Sequence, residues 1–161
     1  MTRVERIFVG LGGNLGDARA TLTAALHDLA QLPGTRLVAT SSFYRSAPLQ
    51  ASGPDFVNAV AELRTTLEPG ALLQALHAIE DAHGRQRPHA NAPRTLDLDL
   101  LLYGQRCVQE PGLMLPHPRL QERAFVLQPL AELAPDLALP RLGPLQDWLA
   151  RVRDQRIAKL P

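Results

Sequence analysis

Residues 93–103, Pro-Arg-Thr-Leu-Asp-Leu-Asp-Leu-Leu-Leu-Tyr, constrain this chain more than any other stretch. Read as a strand, they put Leu96, Leu98, Leu100 and Leu102 on one face and Thr95, Asp97, Asp99, Leu101 and Tyr103 on the other. Aspartate is a poor strand former. Two of them one pleat apart on one face repel each other unless a positive charge sits between them. Mg²⁺ takes hard oxygen ligands, often one or two carboxylates completed by water and phosphate oxygens. Arg94 opens the strand, and a guanidinium grips phosphate bidentately. The combination points to Mg-nucleotide chemistry. The plainer alternative is an edge strand whose acids face water and block aggregation.

The other bounds are broad. A chain of 161 residues is expected to form one domain, residues 1–161, with a sizeable core. A hydrophobic fraction of 45%, a charged fraction of 20% and a net charge of +1 suit a soluble globule and give no electrostatic case for nucleic acid. No apolar run is long enough to span a bilayer. The lone Cys107 allows no internal disulfide. Residues 1–6 lack a signal-peptide core, so a cytoplasmic protein, and a monomer, is the expectation. The only lysine is Lys159, which excludes a P-loop. Phosphate here must be held by arginine, histidine or backbone N–H groups.

Along the chain, residues 6–11 read as a strand, 12–16 as a turn, and Asp17 as the N-cap of a helix with Leu22, Ala25, Leu26 and Leu29 on its apolar face. Residues 35–44 form a second strand and 56–63 a third, antiparallel to it, across a long loop at 46–54. Pro69 opens a second helix, faced by Leu72, Leu73, Leu76 and Ile79 and closed at Gly84. A basic, proline-bracketed loop (85–93) leads to the Asp-bearing strand. Then come a small hairpin near 106–115, a helix over 120–133 interrupted or kinked at Pro129, and a last helix over 145–152 with Trp148 and Leu149 in the core. The order β-α-β-β-α-β is the ferredoxin-like pattern: an α+β sandwich, mainly antiparallel, with helices packed on the sheet.

Several clusters could carry chemistry. Residues 10–16, Gly-Leu-Gly-Gly-Asn-Leu-Gly, approximate a dinucleotide fingerprint, but the next strand lacks the ribose-binding acid, which favours a tight turn. Phe56 and Asn58 share a strand face and could stack on and hydrogen-bond a flat heterocycle; the alternative is a core Phe beside a surface Asn. Arg85 and Arg87 with Arg94, Asp97 and Asp99 make a basic lid over an acidic strand, which suits phosphoryl-type transfer. His117, between prolines, is a candidate phosphate contact. His77, Glu80 and His83 share a helix without the second ligand group a structural zinc needs.

In order along the chain stand Gly12-Gly13-Asn14-Leu15-Gly16, Ser41-Ser42-Phe43-Tyr44-Arg45-Ser46-Ala47-Pro48-Leu49, Pro54-Asp55-Phe56-Val57-Asn58-Ala59, Glu80 with Gly84-Arg85, Pro93-Arg94-Thr95-Leu96-Asp97-Leu98-Asp99, Pro116-His117-Pro118-Arg119 and Arg123-Ala124-Phe125. Together they resemble the hydroxymethyl-dihydropterin pyrophosphokinases of folate biosynthesis. The resemblance implies Mg²⁺-dependent transfer of the β,γ-diphosphate of ATP to the hydroxymethyl group of the reduced pterin, releasing AMP. It implies that Asp97 and Asp99 hold two Mg²⁺ ions. Arg85 and Arg94 would act in catalysis on the phosphates. Glu80, Arg87, His117 and Arg123 would complete the ATP site. Phe56 and Phe125 would sandwich the pterin, with Asn58 and the segment Ser46, Ala47, Pro48 and Leu49 along its edge. The chain departs from the family pattern at Gly13, Phe56, Asn91 and Pro118, where serine, tyrosine, tryptophan and an aromatic are usual. A reading from another class is a ferredoxin-like module that binds a small ligand without catalysis.

Overall fold

The computed structural model describes residues 3–14, 16–47, 54–84 and 95–161. Its sheet is built outward from β1 (Glu5–Gly13), which pairs antiparallel with β4 (Phe56–Thr65) on one side and with β5 (Asp97–Tyr103) on the other. β2 (Thr35–Thr40) and β3 (Tyr44–Ser46) both pair with β4, and β10 (Ile157–Lys159) pairs with β3. The order β5-β1-β4 followed by β2/β3 is the antiparallel ferredoxin-like arrangement expected from the element order.

Alternation along the strands separates two cores. Ile7, Val9 and Leu11 of β1 and Ala59, Ala61 and Leu63 of β4 face α1 (Ala18–Ala30) and α2 (Pro69–Ala82), whose Leu22, Ala25, Leu29, Leu72, Leu76 and Ile79 are buried against them. Asp17 caps α1 through its carboxylate, which accepts from Ala20 N at 3.1 Å. Pro69 starts α2, and Gly84 follows it with a φ of +76°. On the opposite face, Phe8 and Val60 pack with α3 (Ala124–Leu133), α4 (Leu145–Arg151) and Leu120.

Four local expectations need correction. β1 runs on through Gly12 and Gly13, because both pair with β4 and Gly12 also pairs with β5; the turn begins only at Asn14. The second strand is split into β2 and β3. At the break Ser41 N donates to Val60 O at 2.9 Å and Ser41 Oγ accepts from Val60 N at 2.9 Å, so a side chain stands in for the ladder. β5 carries a bulge: Val9 pairs with Leu100 and Phe8 with Leu102, leaving Leu101 as the extra residue. The simple alternation therefore holds only up to Leu101. Leu101 and Leu102 both join the α3 core, and Tyr103 turns to the α1/α2 side, where its hydroxyl donates to Leu67 O. Finally, the 120–133 helix divides at Arg123, into a 3₁₀ turn (Leu120–Glu122) and α3, and Pro129 sits inside α3. The proline cannot donate, which deprives the Phe125 carbonyl of its helical partner. The expected hairpin forms as β6 (Val108–Glu110) and β7 (Leu113–Leu115). A second one, β8 (Ala138–Leu139) with β9 (Gly143–Pro144), leads into α4, and Trp148 packs on the second core.

The two faces predict unequal sensitivity. Leu63→Ala, at a fully buried position under α1 and α2, should cost about 2–5 kcal/mol in urea unfolding. Val38→Ala, at an exposed position of β2, should change stability by no more than about 0.5 kcal/mol.

Candidate active site

Strand register builds the site. Asp97 pairs with Gly12, Gly12 with Asn58, and Asn58 with Tyr44, so these residues form one row across the sheet. In the next row Asp99 pairs with Gly10 and Gly10 with Val60. By alternation Asp97, Asp99, Phe56 and Asn58 share the face that α3 partly covers. A Cβ on Gly12 would lie 3.0 Å from Asn58 Nδ2, so the Asn58 amide would have to shift by a few tenths of an ångström. The carboxylates and the Phe56–Asn58 pair are thus separated by a strand position without a side chain.

Ser46 and Asn58 are each only 5% exposed. Ser46 Oγ donates to Asn58 Oδ1 at 2.5 Å, which leaves the Asn58 NH₂ as the donor for a ligand. Phe125, at the first turn of α3, packs on the second core, and the Arg123 guanidinium lies 5.4 Å from its ring centroid.

On the outer side of β5 a cleft of about 270 Å³ runs between α2 and the β6–β7 hairpin. Leu73, His77, Leu100, Leu113 and Met114 line it together with Asp97, Asp99 and His117. His117 N donates to Leu101 O at 2.9 Å, and its Nδ1 accepts from Arg119 N at 3.2 Å. Its neutral ring must then carry the proton on Nε2, which lies 4.0 Å from Asp99 Oδ1. Burial, reinforced by Arg123, pulls the His117 pKa down to about 4, so the ring is neutral at physiological pH. Burial also lowers the Arg123 pKa, opposed chiefly by Asp99. Arg123 stays cationic and feels both carboxylates.

Glu80 is buried, 1% exposed, although it borders the cleft. One of its oxygens accepts from Leu98 N at 2.8 Å, the peptide between the two aspartates. It therefore clamps the outer edge of β5, a use that its place in the sequence did not suggest. Ala47 sits just beyond β3, whereas Pro48, Leu49, Arg85, Arg87, Asn91 and Arg94 lie outside the described residues. The cleft's apolar lining was missed in the sequence because Leu73 read there as the apolar face of a helix, Leu100 as one face of a strand, and Leu113 and Met114 as part of a small hairpin. Their shared role depends on the hairpin folding back beside α2. Among the described residues no group of three or more His, Cys, Asp or Glu converges on a metal position. An all-oxygen pair such as Asp97 and Asp99 still fits a hard cation that takes its remaining ligands from phosphate and water.

Two acids on one strand face, a nearby guanidinium and an adjoining cleft are an arrangement suited to a phosphoryl-type transferase. Residues 8–135 match the family model for 7,8-dihydro-6-hydroxymethylpterin-pyrophosphokinase, and the chain belongs to that family. It is 50% identical over 159 residues to the 2-amino-4-hydroxy-6-hydroxymethyldihydropteridine pyrophosphokinase of Pseudomonas aeruginosa, covering 98% of each chain. With the Haemophilus influenzae protein of the same name it shares 44% over 154 residues, 95% of this chain and 96% of the other. The fold is similar to Plasmodium falciparum HPPK-DHPS with pteroate, at a TM-score of 0.79 and 12% identity, over 94% of this chain and 45% of the other. The chain thus spans somewhat less than half of that longer protein. Membership makes the chain a pyrophosphokinase, a diphosphotransferase of folate biosynthesis. Among the described residues no helix is long and apolar enough to cross a membrane.

The clamp can be tested apart from activity. Glu80→Ala should lose about 1–3 kcal/mol in urea unfolding, since it strands the buried Leu98 N–H. Glu80→Gln keeps an acceptor and should lose much less. Parental stability in the alanine variant would show that Leu98 N finds another partner.

Proposed function

We propose that the chain, as a single domain, transfers the β,γ-diphosphate of ATP to the hydroxymethyl oxygen of 6-hydroxymethyl-7,8-dihydropterin and releases AMP. The row Asp97–Gly12–Asn58 supports this reading, because a carboxylate and a carboxamide share one face across a strand position that carries no side chain. The adenine lies in the cleft between α2 and the β6–β7 hairpin, and the phosphates extend over Asp97 and Asp99. The pterin lies against Phe56 and Phe125, with its edge on Asn58, Ser46 and the backbone of Ala47, Pro48 and Leu49. Its hydroxymethyl oxygen then points across Gly12 toward the β-phosphorus. The new bond joins that oxygen to the β-phosphorus, the α–β bridge breaks, AMP leaves, and the hydroxyl proton passes to solvent.

Asp97 and Asp99 hold the divalent ions, which we take to be two Mg²⁺. Bound there, Mg²⁺ supplies neutralisation of phosphate charge and a lowered pKa for the acceptor hydroxyl. Arg123 adds fixed positive charge beside the carboxylates, and neutral His117 offers Nε2–H to a phosphate oxygen. Arg85 and Arg94 hold the phosphates, with Arg87 at the nucleotide, as the family pattern suggests. Glu80 acts indirectly, by fixing the backbone between the two aspartates. Apolar and aromatic contacts orient both rings, and the pterin hydroxyl is itself the nucleophile, so no protein nucleophile is needed. The reaction is expected in the cytoplasm, with the chain acting as a monomer and without nucleic acid or membrane.

Resolving AMP from ADP after incubation with Mg²⁺, ATP and the pterin tests the reaction. Pterin-dependent AMP without ADP is the expected result, and ADP would indicate transfer of one phosphoryl group instead. Asp97→Asn and Asp99→Asn should each lower turnover by about a hundredfold or more, the scale of a lost transition-state charge contact. Their circular dichroism and unfolding midpoints should stay near parental. Phe125→Ala should raise the KM for pterin by about tenfold through the loss of stacking, with the KM for ATP held.

A further inference from the structure

We propose that Glu132 is a positioning residue for the pterin: it braces β3 against α3 and so sets the gap between the Ser46–Asn58 wall and Phe125. The inference rests on the pterin placement given above. Where the edge strand breaks between β2 and β3, the backbone of Ser42 turns to α3. Ser42 N donates to Glu132 Oε2 at 2.9 Å, Ser42 Oγ to Oε2 at 3.0 Å, and Tyr44 Oη to Oε1 at 2.5 Å. Bonds to an ionised acceptor are the strong kind.

Each partner of this brace carries a site residue at its far end. β3 begins at Tyr44, which pairs with Asn58, and ends at Ser46, which bonds Asn58. α3 holds Glu132 in its last turn and Phe125 in its first. Tyr44 is 3% exposed, so its ring is fixed between sheet and helix while its hydroxyl reaches the carboxylate. Burial works against the Glu132 carboxylate, yet the bonds from Tyr44 and Ser42 hold its pKa below the ordinary range. A small slip of β3 along α3 would move Ser46, and with it the bond that orients the Asn58 amide, relative to Phe125, whereas the carboxylates on β5, on the other side of β1, would stay in place.

The test measures two affinities in each variant. One is for an α,β-methylene analogue of ATP, which cannot react because the bond to be broken is blocked. The other is for hydroxymethyl-dihydropterin in the analogue's presence. Glu132→Ala should weaken pterin binding by about tenfold, the order expected for misplacing a contact group, and leave the analogue's affinity unchanged. Tyr44→Phe should act in the same direction, and it serves as the readout if the alanine variant does not fold. Glu132→Gln should restore most of the affinity, since its oxygen still accepts from Ser42 and its NH₂ can donate to the Tyr44 hydroxyl. Parallel loss of both affinities, or parental pterin binding in both Glu132→Ala and Tyr44→Phe, would overturn the brace. Asn58→Ala separates the two levels: if it weakens pterin binding and the brace variants do not, only the brace fails. If Asn58→Ala also binds pterin normally, the placement of the pterin fails with it.

Discussion

Like charges held side by side on one strand face must be compensated from the surroundings, and the structure is arranged around that requirement. Asp97 and Asp99 cannot retreat into the core, because Leu98 and Leu100 on the other face are locked under α2. They cannot drift along the strand, because β1 pairs with β5 through Asp97 and Asp99 themselves. Arg123 reaches them from the entrance to α3, and His117 from the segment after the β6–β7 hairpin. In the proposed reaction, divalent ions add positive charge at the same place. Fold and proposed reaction thus share one constraint: the sheet holds the acids in register, and bound divalent ions would relieve their repulsion.

The same sheet sets the distance that the proposed reaction would have to bridge. Antiparallel neighbours lie about 4.8 Å apart, so two strand spacings separate the acids from Asn58. That is a suitable distance for a pterin and its hydroxymethyl arm. Gly12 keeps the path open, at a position where any side chain would press on the Asn58 amide. α1 and α2 take no part on this face; they close the other side of the sheet and leave this one to be half covered by α3.

Much of this was legible in the chain itself, and the failures have definite causes. Helices α1, α2 and α4 announced themselves through apolar spacing, a cap and a proline. The strand with its two acids stood out because its composition opposes its conformation. The end of β1 was misread because a run of glycines signals a turn, and pairing on both edges outweighed that local preference. The break at Ser41 escaped notice because a hydroxyl imitates a backbone acceptor there, which no periodicity reveals. Glu80 is polar on a helix face that otherwise packs, and the approach of Leu98 N gives it a use that no sequence window shows. The cleft beside α2 is a product of chain return, since Leu73 and Met114 are far apart in sequence. Such non-local pairing has no signature in a single window of residues.

The bulge at Leu101 divides β5 into two mechanically distinct halves. Upstream, side-chain phase is dictated by the acids; downstream, it is dictated by the filling of two cores. A regular strand would have forced one compromise on both, with Leu102 and Tyr103 exchanged between layers. By absorbing one residue, the irregularity lets the hydrophobic half fill both cores while the carboxylates keep their face. It acts as a joint between a demand of chemistry and a demand of packing.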